Sequence, residues 1–291
     1  MRRHLLVTVS CDAAAMHGVR FICDFLRDKG QTALTLFYTA PRPPAVWDHE
    51  RNYETLDEYD RRAKKNREQG RAALDGAMAM LREAGYGEDM VDAKLMLREV
   101  STSQDILREC ERGLYDAVVL GRRGQQGLEA LVDQSVTRDI LERAFVAPLW
   151  VCRRFEKGRQ GVLLCLDGSD ASLRMADHVG FMLRDEPQHA VTLFTVLGQG
   201  PLGPADPEAL FAGAMEILAE NGVDPERVRT QAVKGAAPAR AILAEAERER
   251  YAVVATGRTG RGRGLLRRVF MGSSTQALMR ELDGAALWIR A

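Results

Sequence analysis

The chain has 291 residues, about twice a common domain size, which points to two domains. Hydrophobic residues make up 46% and charged residues 28%, and the 41 basic side chains balance 41 acidic ones. That neutrality excludes a general attraction to nucleic acid or to an anionic membrane, so any anion binding has to be local.

Taken in chain order, Arg2-Arg3 precedes a short apolar run, Leu5 to Val9, which invites comparison with a leader peptide. The run is shorter than such a region uses, and the same pattern recurs deep inside the chain at Val162 to Leu166. We therefore read it as a strand, and the chain as cytoplasmic. The five cysteines form no CxxC pair and read as reduced core residues rather than a disulfide or zinc framework. No run approaches the roughly 18 apolar residues that span a bilayer. In the first half, strands are expected near 4–10, 32–38, 91–97, 116–121 and 148–152. Helices are expected between them, near 13–29, 52–84, 102–112 and 134–145. In the second half strands are expected near 161–167, 190–197, 228–233, 251–257 and 286–290, with a helix near 273–283. Strands that alternate with helices imply right-handed crossovers and a doubly wound parallel sheet.

The halves repeat one another. Leu26-Arg27-Asp28 returns as Leu183-Arg184-Asp185, and Thr35-Leu36-Phe37 as Thr192-Leu193-Phe194. Tyr115 to Gly121 is echoed by Tyr251 to Gly257, and Pro148-Leu149-Trp150-Val151 by Ala286-Leu287-Trp288-Ile289. The boundary is expected in the charged stretch 153–160, giving units 1–155 and 159–291. Trp150 and Trp288 fall in equivalent last strands and are expected to pack, at the seam between the copies.

In a doubly wound sheet the ligand site lies beyond the carboxyl ends of the strands, where strand order reverses. In the second copy the fourth strand leads into Gly257, Arg258, Gly260 and Gly262, and later Gly272, Ser273 and Ser274 open a helix. Glycines let the backbone come close to a ligand. The free N–H groups and positive dipole end of the helix suit an anion, and the arginines could neutralise it. The same residues also suit a plain helix cap after a basic loop. The first strand of this copy ends in Asp167-Gly168-Ser169-Asp170. Asp167 is placed to hydrogen-bond a base or ribose, while Ser169 or Asp170 caps the next helix.

These motifs resemble the universal stress protein family, whose fingerprint is a glycine, two residues, a second glycine, nine residues, then Gly-Ser or Gly-Thr. Asp167-Gly168-Ser169, and Gly235 with Pro238 ahead of the fourth strand, belong to the same pattern. The resemblance covers the chain twice. It implies two Rossmann-like (adenine nucleotide alpha hydrolase-like) α/β domains, each a five-stranded parallel sheet flanked by helices, paired through their last strands. It also implies an adenine nucleotide: ATP, AMP or ADP, with or without Mg. Carried over residue by residue, Asp167, Gly168 and Val196 fall on the adenine side. Gly257, Arg258, Gly260, Gly262, Gly272, Ser273 and Ser274 fall on the phosphate and ribose side.

The copies depart from that pattern in different ways. In the second, Gly260 and Gly272 are two residues too far apart, whereas Gly262 has the expected spacing. In the first, Gln134 precedes Ser135 where glycine is expected, and Ser10 stands opposite Asp167. The first copy is therefore expected to be degenerate and to serve mainly as a partner for the second. No GxxxxGK[ST] loop, GxSxG elbow or HExxH pair occurs, and no acid–base constellation is evident. The expected role is regulatory binding under stress, with at most slow hydrolysis. The alternative is an interaction module that kept the fold and lost the ligand. The basic run at Arg61, Arg62, Lys64 and Lys65 is read as a solvated helix face, and His178 as structural. Expected partners are the nucleotide and the other half of the chain, with room for a homodimer, and no nucleic acid or membrane.

Overall fold

The computed structural model describes residues 2–12, 16–43, 53–122, 136–137, 139–141, 147–198, 206–258 and 272–290. The first half runs β1 (Arg3–Thr8), α1 (Met16–Phe25), β2 (Thr32–Ala40), α2 (Tyr53–Glu83), β3 (Val91–Leu97), α3 (Thr102–Gly113), β4 (Ala117–Arg122) and β5 (Leu149–Arg153). The second runs β6 (Gln160–Cys165), α4 (Asp170–Leu183), β7 (Val191–Leu197), α5 (Pro207–Glu220) and β8 (Val228–Lys234). It continues with α6 (Pro238–Arg248), β9 (Tyr251–Gly257), α7 (Ser273–Glu281) and β10 (Ala286–Arg290). All ten expected strands are present. The helix expected over 134–145 lies largely outside the described residues.

One helix is shorter than its periodicity suggests. The helix expected to run to residue 29 ends at Phe25. Its backbone bonds are diverted at the carboxyl end. The Arg27 N–H donates to Glu186 Oε2 at 2.7 Å, and the Cys23 carbonyl accepts from Lys29 Nζ at 2.7 Å. Elsewhere local chemistry sets the boundaries as expected. Ser101 Oγ caps α3, Ser169 Oγ caps α4 and Asp206 caps α5, whose first residue is Pro207. The long α2 is buried only along Gly70, Leu74, Ala77 and Leu81, a single stripe at helical spacing. Its basic residues stay on the wet face, with Arg61 and Arg62 paired to Asp57 and Glu58 one turn earlier. No described helix is long and apolar enough to cross a membrane.

The strands form one sheet in the order β3-β2-β1-β4-β5-β10-β9-β6-β7-β8. Each half is parallel throughout and reverses its order between its first and fourth strands. The halves meet where β5 and β10 run antiparallel, with Trp150 opposite Trp288. The two indoles stack at 4.1 Å between centroids, within 6° of parallel. Alternate residues of the strands feed two cores, one on each face. Leu5, Val7, Trp150 and Trp288 belong to one, and Leu6, Val118, Val254 and Leu287 to the other. Both cores draw on both halves, so the apolar interior runs through the seam.

Polar groups are buried at the seam as well. Arg3, at 0% exposure, donates to the Met182 carbonyl at 2.6 Å and pairs with the equally buried Glu186 at 3.1 Å. His189 accepts from the Gly161 N–H through Nδ1, which fixes the proton on Nε2, and Nε2 donates to the Phe25 carbonyl at 2.8 Å. His178 Nε2 accepts from Trp150 Nε1 at 3.0 Å; an indole can only donate, so the proton sits on Nδ1. Burial lowers the pKa of both histidines, that of His178 to about 3. Two outcomes follow. Glu186→Ala strands a buried guanidinium and should cost about 3–5 kcal/mol in urea unfolding; an unchanged midpoint would show that water reaches Arg3. The neutral histidines also make stability pH-dependent. The unfolded chain binds protons near pH 6.5 that the folded chain refuses, so stability should fall as pH drops from 6.5 toward 3. The slope approaches about 1.4 kcal/mol per pH unit for each such histidine. His178→Phe should flatten that slope in denaturation curves taken across the range.

Candidate functional site

The carboxyl ends of β6, β7 and β9 converge on one crevice in the second half. Because β9 and β6 are paired with Thr256 opposite Cys165, Gly257 and Leu166 leave the sheet at the same level. Gly257 presses against the first turn of α4. A Cβ placed on it would meet the Ala171 Cβ and the Ser172 N at 2.9 Å each, so this end of β9 admits no side chain. From Leu166 the chain enters Asp167, then turns at Gly168, whose φ of 74° is left-handed. Asp167 Oδ1 accepts from the Ser169 N–H at 3.0 Å and from Ser169 Oγ at 2.6 Å. Ser169 in turn caps α4 through the Ser172 N–H. Asp167 is thus held at the lip of the crevice by the cap, and the cap expected of Ser169 is present.

The mouth of α7 is pinned to the end of β9. The Gly272 N–H donates to the Arg258 carbonyl at 2.9 Å, and buried Thr275 donates through Oγ1 to the Gly257 carbonyl at 3.1 Å. Gly272 caps the helix without a side chain. The first intrahelical bond is made by the Gln276 N–H, so the N–H groups of Ser273, Ser274 and Thr275 find no acceptor among the described residues. Ser273 is exposed and Ser274 half-buried. Val196, at the end of β7, is half-buried and packs beside Gly235, where α6 begins at Pro238. The structure therefore brings Asp167, Gly168, Val196, Gly257, Gly272, Ser273 and Ser274 to the ends of adjacent strands.

Arg258 takes a different place from the one expected. Its side chain is buried and its Nη1 donates to the Leu141 carbonyl of the first half at 3.0 Å. Its guanidinium thus has a partner across the seam. Gly260 and Gly262 lie outside the described residues.

A model of the universal stress protein family matches residues 1–153 and again 158–289. The chain belongs to the universal stress protein family. Its fold agrees with that assignment. A universal stress protein from Archaeoglobus fulgidus DSM 4304 superposes with a TM-score of 0.70 at 16% identity, covering 99% of this chain and 97% of that one. A putative universal stress protein from Pseudomonas aeruginosa UCBPP-PA14 gives 0.53 at 15% identity, covering 99% and 93%. A third, solved in complex with cAMP, aligns at 22% identity over 45% of this chain and 96% of its own, with a TM-score of 0.36. No curated protein matches the sequence.

Within this universal stress protein the first-half crevice is built differently. Its lip carries Ser10, whose Oγ accepts from the Asp12 N–H at 3.2 Å. Cys11 stands where the second half has Gly168, and its Sγ lies 3.1 Å from Tyr38 Oη. The space between Thr8, Ser10, Asp12, Thr102, Gly121 and Thr137 amounts to about 100 Å³, far below the size of an ordinary ligand pocket. Gln134 and Ser135 lie outside the described residues.

No sequence signal marked the seam residues Arg3, Glu186 and His189, because their partners are distant in the chain. The close approach at Gly257 is the feature on which the second crevice rests. Gly257→Ala should therefore destabilise the protein by about 1–3 kcal/mol through overpacking against α4. Equilibrium unfolding measures it, and a neutral substitution would show that β9 and α4 separate freely.

Proposed function

We propose that the second half binds an adenine nucleotide and that this chain acts as a nucleotide-responsive regulator in stress, rather than as a metabolic enzyme. The observation that carries the reading is the mouth of α7. Three main-chain N–H groups and the hydroxyls of Ser273 and Ser274 are gathered at the positive end of a helix, with no acceptor among the described residues. Such a mouth suits a phosphate tail. Asp167 stands on the neighbouring strand end, suited to the ribose or base, and Val196 offers an apolar flank. The donor set fits ATP, AMP or ADP. Among the described residues no cluster of His, Cys, Asp or Glu could hold a metal ion, so Mg would arrive with the phosphates.

In this reading the first half binds no nucleotide tightly. Its narrow crevice, with Ser10 and Cys11 in place of Asp167 and Gly168, supports that asymmetry. The chain's residues bind and orient; none of them is assigned a proton transfer. A regulatory output requires that the ligand favour one of two conformations.

Native mass spectrometry and calorimetry with ATP should find one nucleotide per chain. Two equivalent tight sites, or none, overturn the proposal. Ser274→Asp separates binding from folding. An acidic residue in the first turn favours the helix dipole, so the fold should hold, while repulsion should weaken ATP binding by about tenfold or more. AMP should suffer less than ATP.

A further inference from the structure

One described cavity lies at the seam, away from the crevice. It has a volume of about 870 Å³ and is lined by α3, the starts of β4 and β5, and the face of α4 that carries Asp177, His178 and Phe181, with Arg290 from β10. No described segment of the chain covers it. The pseudo-twofold axis that relates Trp150 to Trp288 predicts a mate for this cavity on the other side of the seam, between α6, β9, β10 and α1. That mate is filled, by the chain's own linker between β5 and β6.

The linker's contacts name the positions that matter. The Phe155 ring meets Phe21 edge-on at 5.3 Å, and the Glu156 N–H donates to the Gly284 carbonyl at 3.1 Å. Glu156 pairs with Arg250 at 2.6 Å, and the Gly158 N–H donates to Asp24 Oδ2 at 3.0 Å. Arg159, its side chain only 3% exposed, pairs with Glu247 at 2.7 Å. A short segment that turns at Lys157–Gly158, with an aromatic side chain at one end and a guanidinium at the other, occupies the mate.

Four of these positions, all but that of Gly284, have a described counterpart in the open cavity. Glu247 is matched by Glu111, which also lines the space and would again meet a basic side chain. Arg250 is matched by Leu114, 86% exposed and in the same left-handed conformation, with φ of 50° against 53°. Asp24 is matched by Phe181 and Phe21 by His178. His178 is only 3% exposed, yet its Nδ1–H has no acceptor among the described residues and its ring lines the cavity. The cavity therefore keeps the basic-residue partner, gains a buried donor for a peptide carbonyl, and becomes apolar where the linker carries Glu156. The left-handed backbone of Leu114 ends α3 as its C-cap, while its apolar side chain stays 86% exposed beside the cavity.

We propose that the seam cavity is a docking site for a short peptide segment of a partner protein that turns as the linker does, reading an aromatic residue, an apolar residue and, three positions further on, a basic one. The site is separate from the nucleotide crevice and does not rest on that reading.

The probe is the synthetic peptide acetyl-Arg-Phe-Leu-Lys-Gly-Arg-amide, a linker analogue with leucine in place of its glutamate. It is titrated into the full chain while tryptophan emission is followed, because Trp150 donates directly to His178. Saturable binding of one peptide per chain is expected, with or without ATP. Leu114→Arg restores the residue found in the filled mate at an exposed position, so folding should be unaffected while peptide affinity falls by about tenfold. Replacing the peptide's last arginine with glutamate should weaken binding comparably, through repulsion by Glu111. Absence of saturable binding overturns the proposal. Binding that ignores both changes, or that an unrelated peptide of equal charge reproduces, overturns it as well.

Discussion

The structure depends on the antiparallel meeting of β5 and β10. Ten strands in one sheet would otherwise be two five-stranded sheets, each with a hydrophobic last strand exposed at its edge. Such an edge presents unpaired N–H and C=O groups and invites association with other chains. Pairing the two last strands removes both edges at once. The stacked indoles of Trp150 and Trp288 sit on the axis of that pairing and join the two halves within one core. Aromatic contacts of this kind contribute about 0.5–1.5 kcal/mol beyond the area they bury, so most of the seam's stability must come from continuous apolar packing.

That junction also explains where the two copies have been free to diverge. The axis makes every seam position occur twice, but the chain can satisfy a position by different means on each side. Trp150 Nε1 has His178 as its acceptor; its mate Trp288 packs edge-on against Phe25 instead, and its Nε1 has no partner among the described residues. The buried pair of Arg3 and Glu186 has no counterpart, since Gln160 and Lys29 occupy the equivalent positions. Buried ion pairs are weak sources of net stability but strong penalties for misalignment. Here the pair specifies one way of docking two similar units.

Much of the fold was legible because its signals are local. Uninterrupted apolar runs such as Val162 to Leu166 and Ala252 to Ala255 mark strands covered on both faces, and the repeat itself assigns each run a counterpart. The pairing of last strands was legible only through family resemblance, since no periodicity states which edges meet. The candidate site divides along the same line. The places of Asp167, Gly257 and Gly272 at the crevice could be anticipated because they follow from strand ends and glycine geometry. The role of Arg258 could not, since the Leu141 carbonyl it meets is 117 positions away in sequence. Likewise the early end of α1 is set by Glu186, a residue of the other half.

The end of β9 is where crevice and seam come together. The Arg258 carbonyl accepts from the mouth of α7, while its N–H donates to the Arg290 carbonyl at 2.7 Å and its side chain reaches the first half. Arg290 in turn holds Asp177 at 3.1 Å and the Arg174 carbonyl at 2.9 Å, on the helix whose amino end Asp167 and Ser169 cap. In the proposed reading, a ligand at the mouth of α7 would pull on an element bonded to both the seam and α4. Close-packed interfaces respond to such loads by switching between discrete packings rather than by deforming smoothly. The crevice lies at the carboxyl ends of β6 and β9, whereas the open cavity lies across the sheet at the starts of β4 and β5. Communication between them would have to pass through β10 and α4, and both elements bear on His178 and Arg290.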